Sequence, residues 1–327
     1  MDKCRTRSSS KFLCLLSVIS LTILIVACDS DNKTNAVDLT DRVSIDILTE
    51  SNNENTSNTN SKDVLIFGFD LRNSPSEDAK QYLPFINYLN KETNLQFELK
   101  FTPKGSDIAT ELGEGRIHLA AIGATSYILA NERYGVTVLT RGVNNKGKAE
   151  YRSIIVTHPS SNLKILKDLK DNRFAFGSID STQGHLIPRI ELAKQEITLK
   201  DLGSYQYTGS HLNCANAVIS AQVDACGMQD TLAEEFASKR LLHVLYASPY
   251  YPSSGIAANQ DITKEVLEKI TKALIAFEPE GKHKELLYHW DKTEMPKGFV
   301  LANSNDYTEL RKWMIRFNLL TEAKRSN

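Results

Sequence analysis

The chain has 327 residues, of which 41% are hydrophobic and 8% aromatic, enough for an ordinary globular core in one large or two smaller domains. Its 39 basic and 40 acidic residues give a formal net charge of −1. This balance excludes a global basic field of the kind that holds nucleic acid, so any bound anion must be held locally by aimed donors.

The first 27 residues predict an export signal that is not part of the fold. A basic stretch with Lys3 and Arg5 precedes an apolar run from Phe12 to Ala27, which is shorter than the roughly 20 residues of a membrane-spanning helix. The run ends directly before Cys28, and a small residue before a cysteine resembles the bacterial lipobox. We therefore expect cleavage before Cys28 and its acylation, as in a palmitate-bearing lipoprotein anchored at the outer face of a cell membrane. An uncleaved membrane anchor is the alternative.

Residues 28–62 are rich in Asn, Ser, Thr and Asp and contain no aromatic side chain. Such a composition buries too little apolar surface to fold, so we expect a flexible tether between the lipid and the body of the protein.

From Val64 onward the pattern changes to alternating strands and helices, which predicts an α/β fold with mostly parallel sheets. The predicted strands cover residues 64–69, 95–101, 118–123, 136–139, 153–157, 173–177, 223–225 and 242–246. The predicted helices cover residues 76–91, 107–114, 126–133, 163–169, a segment that ends near 194, 213–221 and 230–237, with three amphipathic helices after residue 261.

The loop 178–184 follows a predicted strand and leads into a helix, the position where open parallel sheets bind ligands. Hydroxyls of Ser181 and Thr182 can cap this helix, while the main-chain amides of Thr182, Gln183 and Gly184 point outward at its positive end. Gly184 permits close approach of the backbone. The segment therefore predicts an anion site, and an ordinary capped helix is the alternative.

Two later segments add candidate ligand-binding groups. His211 opens a predicted helix after the pair Gly209-Ser210, so its imidazole is placed to donate to an anion. Asp230 begins the next helix and can accept the proton of an oxyanion that retains one. A structural role is the alternative for a lone histidine.

Together these segments resemble the phosphate/phosphite/phosphonate-binding family of ABC-transporter substrate-binding proteins. The resemblance extends from Val64 to about Phe277 and includes, in order, HLAAIGATSY at 118–127, YRSIIV at 151–156, FAFG at 174–177, DSTQGHLIP at 180–188, GSH at 209–211 and QVDA at 222–225.

The resemblance implies a two-lobed periplasmic-binding-protein type II fold with a double-crossover hinge. Lobe 1 would comprise residues 63–143 and 249–327, and lobe 2 residues 150–246. It also implies that Ser181, Thr182 and Gln183 grip the phosphonyl oxygens, that His211 adds a donor, and that Asp230 and Tyr127 line the cleft. The family commonly has Ser where this chain has Gln183, whose bulk would reshape the pocket.

The implied function is that of a monomeric solute-binding lipoprotein, without cofactor or metal, that captures a phosphonate, phosphite or phosphate ion for an ABC-importer permease. A ligand-sensing lipoprotein that presents its bound state to a signalling receptor is the alternative. An enzyme with His211, Cys214 and Asp230 as a nucleophilic set is a third hypothesis, which no catalytic signature in the sequence supports.

Cys214 and Cys226 are the two cysteines of the predicted body. They could pair in an oxidising compartment, but the interpretation favoured by sequence alone is two small buried hydrophobes. No CxxC motif or Cys/His cluster with metal-ligand spacing occurs in the sequence.

Overall fold

The computed structural model describes residues 64–70, 75–103 and 105–320. The predicted signal peptide, Cys28 and the predicted tether lie outside these residues, so they stay predictions. Within the described ranges, every helix is too short or too polar to cross a membrane.

Strands and helices alternate along most of the described chain. The strands are β1 (Val64–Phe69), β2 (Gln96–Phe101), β3 (Leu119–Ile122), β4 (Thr137–Gly142), β5 (Glu150–Tyr151), β6 (Ser153–Thr157), β7 (Arg173–Phe176), β8 (Ser204–Tyr207), β9 (Ala225–Gln229), β10 (His243–Ala247), β11 (Tyr251–Pro252), β12 (Gly255–Ala258) and β13 (Phe299–Leu301). The α-helices are α1 (Pro75–Thr93), α2 (Ile108–Gly113), α3 (Ala124–Tyr134), α4 (Ile187–Lys194), α5 (His211–Ile219), α6 (Asp230–Ser238), α7 (Lys264–Ile275) and α8 (Thr308–Arg316). A π-helical turn covers Thr182–Leu186, and short 3₁₀ turns cover Leu166–Leu169, Leu199–Asp201, Lys284–Leu286, Trp290–Lys292 and Ser304–Tyr307.

Two large sheets organise these elements. The first has the strand order β13-β4-β12-β3-β1-β2, and the second has the order β10-β6-β9-β7-β8. The chain leaves the first sheet after β4 and returns to it after β10, and the two crossings pair as the small antiparallel ladder of β5 and β11. Two sheet-based lobes joined by two crossings are the architecture that the family resemblance implied.

The prediction of mostly parallel sheets is wrong, because both sheets are mixed. In the first sheet, β12 pairs antiparallel with β3 and with β4. In the second, β6 pairs antiparallel with β9 and with β10. The ladder of β5 and β11 is called the hinge ladder below. β12 is the first strand that the chain adds to the first sheet after this ladder, and β6 is the first that it adds to the second sheet. Strand–helix alternation does not reveal the direction of a strand that enters a sheet from a crossing.

Segment boundaries differ from the predictions mainly in the second half of the chain. The strand predicted at 223–225 lies instead at Ala225–Gln229, because Asp224 turns at its start, where its carboxylate accepts the main-chain N–H of Arg173 at 2.8 Å. The tail that was predicted as three helices contains α7, α8, short 3₁₀ turns and the strand β13. Pro279 and Pro296 interrupt this tail, and a proline cannot donate the main-chain hydrogen bond that a helix interior requires.

Apolar side chains cover both faces of the first sheet. On one face, the aromatic side chains of α1 pack with those of the sheet and of the C-terminal segment, as in the contacts of Phe85 with Phe67, Phe277 and Trp290. The other face packs against α2, α3 and α8. This packing fixes the start of α3 at the carboxyl end of β3.

The second lobe contains a disulfide between Cys214 in α5 and Cys226 in β9, whose Cα atoms are 5.9 Å apart. Both cysteines are fully buried. The favoured interpretation of two unlinked hydrophobes is therefore wrong, and the two residues join the helix to the strand covalently.

Candidate anion-binding site between the two sheets

The predicted site after β7 begins with a helix cap. β7 ends at Phe176, and the loop that follows leads to Ser181, whose Oγ accepts the main-chain N–H of Gly184 at 2.9 Å. Thr182, Gln183 and Gly184, predicted as the end of a loop, form the first part of the π-helical turn. The amides of Thr182 and Gln183 belong to the first turn and so have no acceptor within the helix.

A second helix start meets this one from the first lobe. α3 begins at Ala124, directly after Gly123, which has no side chain to cap it. Thr182 Oγ1 accepts the main-chain N–H of Thr125 at 2.9 Å and lies 3.0 Å from Thr125 Oγ1. Because both helices present their positive ends here, the surroundings of Thr182 favour negative charge.

Gly184 lies where three groups converge. Its carbonyl accepts the N–H of Gly177 at 2.9 Å. A Cβ atom added at Gly184 would lie 2.9 Å from His211 Cε1, 2.9 Å from Ser181 Oγ and 3.1 Å from Gly177 Cα. The close approach that the sequence predicted at Gly184 is therefore an approach between protein groups.

His211 opens α5, as predicted, and its ring packs beside Gly184. Its Nδ1 accepts the main-chain N–H of Gln229 at 3.3 Å. A neutral imidazole that accepts at Nδ1 carries its proton at Nε2. The ring therefore presents Nε2–H as its donor.

Gln183 is bound to Asp230 instead of pointing at Thr182. Its side chain is 5% exposed, and Nε2 donates to Asp230 Oδ1 at 3.2 Å and to the main-chain oxygen of Arg152 at 2.9 Å. Burial raises the pKa of the Asp230 carboxyl, and the nearby charge of Glu234 acts in the same direction. We call the groups around the contact between Thr182 and Thr125 the Thr182 cluster. Gln183 lies beside this cluster with its main-chain amide, while its side chain orients Asp230.

Tyr127 is the predicted site residue that the structure does not bring into this cluster. It lies on the inward face of α3, is 2% exposed and packs against Tyr307 with 4.9 Å between ring centroids. Its hydroxyl bonds to the main chain of Val138. Tyr127 thus supports α3 from the core of the first lobe.

A different tyrosine, Tyr151 of the hinge strand β5, reaches the cluster. Its hydroxyl faces Thr182, the main chain of Ala124 and the hydroxyl of Ser254. Tyr151 is 5% exposed and Ser254 is 4% exposed. Burial raises the pKa of Tyr151, so its hydroxyl stays protonated at neutral pH. Sequence reasoning missed both residues, since one lies on a hinge strand and the other just after the second crossing.

The start of α3 could have been identified from the sequence as part of the site. Gly123-Ala124-Thr125 follows a predicted strand and opens a helix, the same arrangement that drew attention to the segment after β7. Applying one rule to both segments would have found both halves of the cluster.

His185 holds the loop that carries Ser181. It is fully buried, with Nδ1 2.6 Å from the carbonyl oxygen of Ile179 and Nε2 3.1 Å from the Tyr207 hydroxyl. Burial lowers its pKa to about 4, so the ring is neutral at physiological pH. A neutral ring donates through Nδ1–H to the Ile179 carbonyl and accepts from Tyr207.

Acidic groups lie at the edge of the cluster. Asp180 directly precedes Ser181, and its carboxyl pKa is raised by burial and by the charges of Asp107 and Asp70 in the first lobe. Among the described residues, no group of three or more His, Cys, Asp or Glu side chains is arranged to hold a metal ion.

The hypothesis of a nucleophilic set is overturned by the disulfide. Cys214 is bonded to Cys226 and fully buried, so it presents no thiolate to a substrate. The remaining members, His211 and Asp230, lack the nucleophile that the hypothesis required.

Comparison with known proteins gives a consistent result. A family model described as "ABC transporter, phosphonate, periplasmic substrate-binding protein" matches residues 67–307. The probable ABC transporter phosphite binding protein PhnD1 of Prochlorococcus marinus (strain MIT 9301) is 26% identical over 255 residues, which cover 71% of this chain and 82% of that relative.

Solved structures agree with the fold. PhnD1 from Prochlorococcus marinus (MIT 9301) in complex with methylphosphonate superposes with a TM-score of 0.68 at 22% identity, covering 78% of this chain and 98% of that chain. A binding protein component of an ABC phosphonate transporter from Pseudomonas aeruginosa gives a TM-score of 0.67 at 20% identity, covering 81% and 89%. The fold is thus that of the type II periplasmic binding proteins, as predicted.

Proposed function

The chain belongs to the family of periplasmic substrate-binding proteins of phosphonate ABC transporters, and we propose that it captures a phosphorus oxyanion between its two sheets for delivery to an importer. Members of this family are binding components and not enzymes. The family supports the transport role and gives no support to the alternative of a sensory lipoprotein.

One observation carries the proposal: two helix starts from different lobes meet at Thr182 and Thr125, 2.9 Å apart from oxygen to amide nitrogen. Each helix end favours an anion by about 0.3–1 kcal/mol, and more where it is partly buried. Each hydrogen bond to a charged acceptor contributes about 1.5–3 kcal/mol. Since the net charge of −1 supplies no bulk attraction, these aimed donors must provide the affinity.

We assign the ligand contacts residue by residue. The hydroxyls of Ser181 and Thr182 and the main-chain amides of Thr182 and Gln183 hold the oxygens from the second lobe, while Gly184, whose amide donates to Ser181, permits the close approach of the backbone. His211 donates through Nε2–H. Asp230, oriented by Gln183, accepts the proton of a ligand that retains a P–OH group. Tyr127, buried against Tyr307, acts only by supporting α3.

The ligand that we propose is a small phosphorus oxyanion, namely a phosphonate, phosphite or phosphate ion. The relative from Prochlorococcus marinus is named as a phosphite binding protein, and its structure holds methylphosphonate.

We also propose a lipid anchor and a two-lobed division of the chain. Cleavage before Cys28 and acylation of Cys28 would leave residues 28–62 as a tether, with lobe 1 at 63–143 and 249–327 and lobe 2 at 150–246. We further propose that the protein acts as a monomer. Cys28→Ala should release the protein from the membrane fraction, and unchanged membrane association would contradict the anchor.

A titration tests the proposed ligand. The chain from residue 28 onward, with Cys28→Ser to prevent acylation, is studied by calorimetry and thermal unfolding with methylphosphonate, phosphite and phosphate, and with chloride as the control. A ligand at a hundred times its dissociation constant stabilises the folded state by about 2.7 kcal/mol. No binding of any phosphorus oxyanion would reject the proposed function.

A further inference from the structure

Glu191 in α4 is a buried carboxylate that binds the second crossing of the chain. It is 3% exposed. Its Oε1 accepts from the hydroxyl of Tyr251 on β11 at 2.8 Å and from Lys194 Nζ at 2.9 Å. Its Oε2 accepts from the hydroxyl of Tyr246 on β10 at 2.7 Å. A carboxylate taken out of water needs such donors in compensation, and here one of them comes from the hinge ladder.

The two tyrosines bind this carboxylate from different parts of the architecture. Tyr246 lies in β10, which pairs with β6 in the second sheet, so its bond to Glu191 is internal to the second lobe. Tyr251 lies in the hinge ladder, so its bond to Glu191 joins the crossing to the second lobe. Burial and the hydrogen bond to Glu191 raise the pKa of both phenols, and both therefore donate as neutral hydroxyls at physiological pH.

α4 continues the helical turn that carries the proposed anion donors. The π-helical turn Thr182–Leu186 runs directly into α4, which begins at Ile187. Glu191 lies nine positions after Thr182, which corresponds to about 13 Å along a helix axis. α4 and Tyr251 also share one core cluster with the helices α2, α3 and α8 of the first lobe. A single helical segment therefore connects the crossing at Glu191 with the anion site at Thr182.

From this geometry we propose that Glu191 is a positioning residue for ligand capture, because the hydrogen bond from Tyr251 ties the hinge ladder to the helical segment that holds Thr182 against α3. This inference rests on the proposed function. With the bond in place, the crossing and the segment move as one body, which favours the arrangement in which Thr182 meets the start of α3. Without it, the lobes sample more relative orientations, and the affinity falls with the fraction of molecules in the binding arrangement.

The test compares Tyr251→Phe with Tyr246→Phe, which each remove one phenol donor from the same carboxylate. Both variants should melt at a lower temperature by similar amounts, because each leaves Glu191 one donor short. Only the part of the bond energy that differs between lobe orientations enters the affinity. Calorimetric titration with methylphosphonate should therefore show a loss of about three- to tenfold for Tyr251→Phe and of less than about twofold for Tyr246→Phe.

The distance between the lobes is a second measurement, which requires no ligand. Lys200 in the second lobe and Lys269 in α7 are exposed, so cysteines introduced at these two positions can carry spin labels for pulsed electron paramagnetic resonance. The distance distribution should be broader for Tyr251→Phe than for the unsubstituted protein. For Tyr246→Phe it should keep its width.

Equal affinities and equal distance distributions of the two tyrosine variants would overturn the inference while leaving the proposed function intact. Failure of the unsubstituted protein to bind any phosphorus oxyanion would instead reject the proposed function. If Tyr251→Phe does not fold, Lys194→Met replaces it, because Lys194 Nζ donates to the Tyr251 hydroxyl at 3.1 Å. Its control is Lys239→Met, which removes an exposed ion pair within α6 and the turn that ends it. Equal affinities of these two lysine variants for methylphosphonate would likewise overturn the inference.

Discussion

The two helix starts that meet at Thr182 are built differently. The one in the second lobe is capped by its own chain, because Ser181 accepts from the amide of Gly184. The one in the first lobe follows a glycine and obtains its acceptor from the other lobe, where Thr182 Oγ1 bonds to the amide of Thr125. The cap of the second-lobe start is therefore formed within its own segment of the chain, whereas the cap of the first-lobe start depends on how closely the two lobes approach each other.

The largest expected effect comes from the residue that joins the two starts. Thr182→Val keeps the shape of the side chain but removes the acceptor for the Thr125 amide and the hydroxyl donor to the ligand. We expect affinity for methylphosphonate to fall by about a hundredfold or more, the loss of more than one hydrogen bond to a charged group. Thr198→Val, at the exposed cap of a 3₁₀ turn, is the control. Similar affinities of the two variants for methylphosphonate would show that the two helix starts do not depend on Thr182 to bind the ligand together.

Substitution of one glycine at each helix start compares how tightly the two starts are packed. Gly184→Ala would place a Cβ 2.9 Å from His211 Cε1 and from Ser181 Oγ. This overpacking at the second-lobe start should lower the unfolding free energy of the protein by about 1–3 kcal/mol. Gly123→Ala would place its Cβ 3.5 Å from Thr182 Oγ1, an ordinary contact, and should cost much less. Chemical denaturation measures both, and an equal cost would contradict the difference between the starts.

The cap itself gives a smaller effect. Ser181→Ala removes the side-chain acceptor of the Gly184 amide and should reduce the unfolding free energy by about 1 kcal/mol. Ser210→Ala removes the matching cap of α5, where Ser210 Oγ accepts from Asn213, and should cost about the same. Ser181→Ala alone should also weaken methylphosphonate binding. Loss of affinity in both variants would indicate that the effect is one of general stability.

The smallest effect concerns the acid beside the second-lobe start. The raised pKa of Asp180 means that the folded state holds its proton to higher pH than the unfolded state, so this contribution to stability is lost as pH rises through the folded pKa. Asp180→Asn should therefore unfold at a higher temperature than the unsubstituted protein at pH 7, and the gap should narrow toward pH 4. A gap that is independent of pH would rule out the carboxyl as its cause.

Much of the fold could be predicted from the sequence, because strand–helix alternation and the family resemblance depend on local pattern. The strand β12, with the sequence Gly255-Ile256-Ala257-Ala258, could not be predicted in the same way. It is short, built of small residues and defined by its neighbours β3 and β4, which lie more than a hundred residues earlier in the chain. Its position is a consequence of the hinge crossing, which no local pattern encodes.

The site likewise contains features that depend on local sequence and features that depend on distant contacts. Capping chemistry identified Ser181 and Thr182, because a cap depends on residues a few positions apart. The orientation of Gln183 toward Asp230 depends on contacts across 47 residues, and so it appears only in the folded chain. The choice between Tyr127 and Tyr151 depends on which face of α3 is buried and on where the hinge strand passes, and neither is set by local sequence.

The disulfide has a consequence for how the protein must be made. His211 lies three residues before Cys214, and Asp230 lies four residues after Cys226, so the bond between α5 and β9 staples together the two elements that present these side chains. It closes a short loop, since the cysteines are 12 positions apart, and a bond over a loop of that size contributes about 3 kcal/mol. Protein produced in a reducing cytosol would lack this disulfide, so preparations should be oxidised before binding is measured.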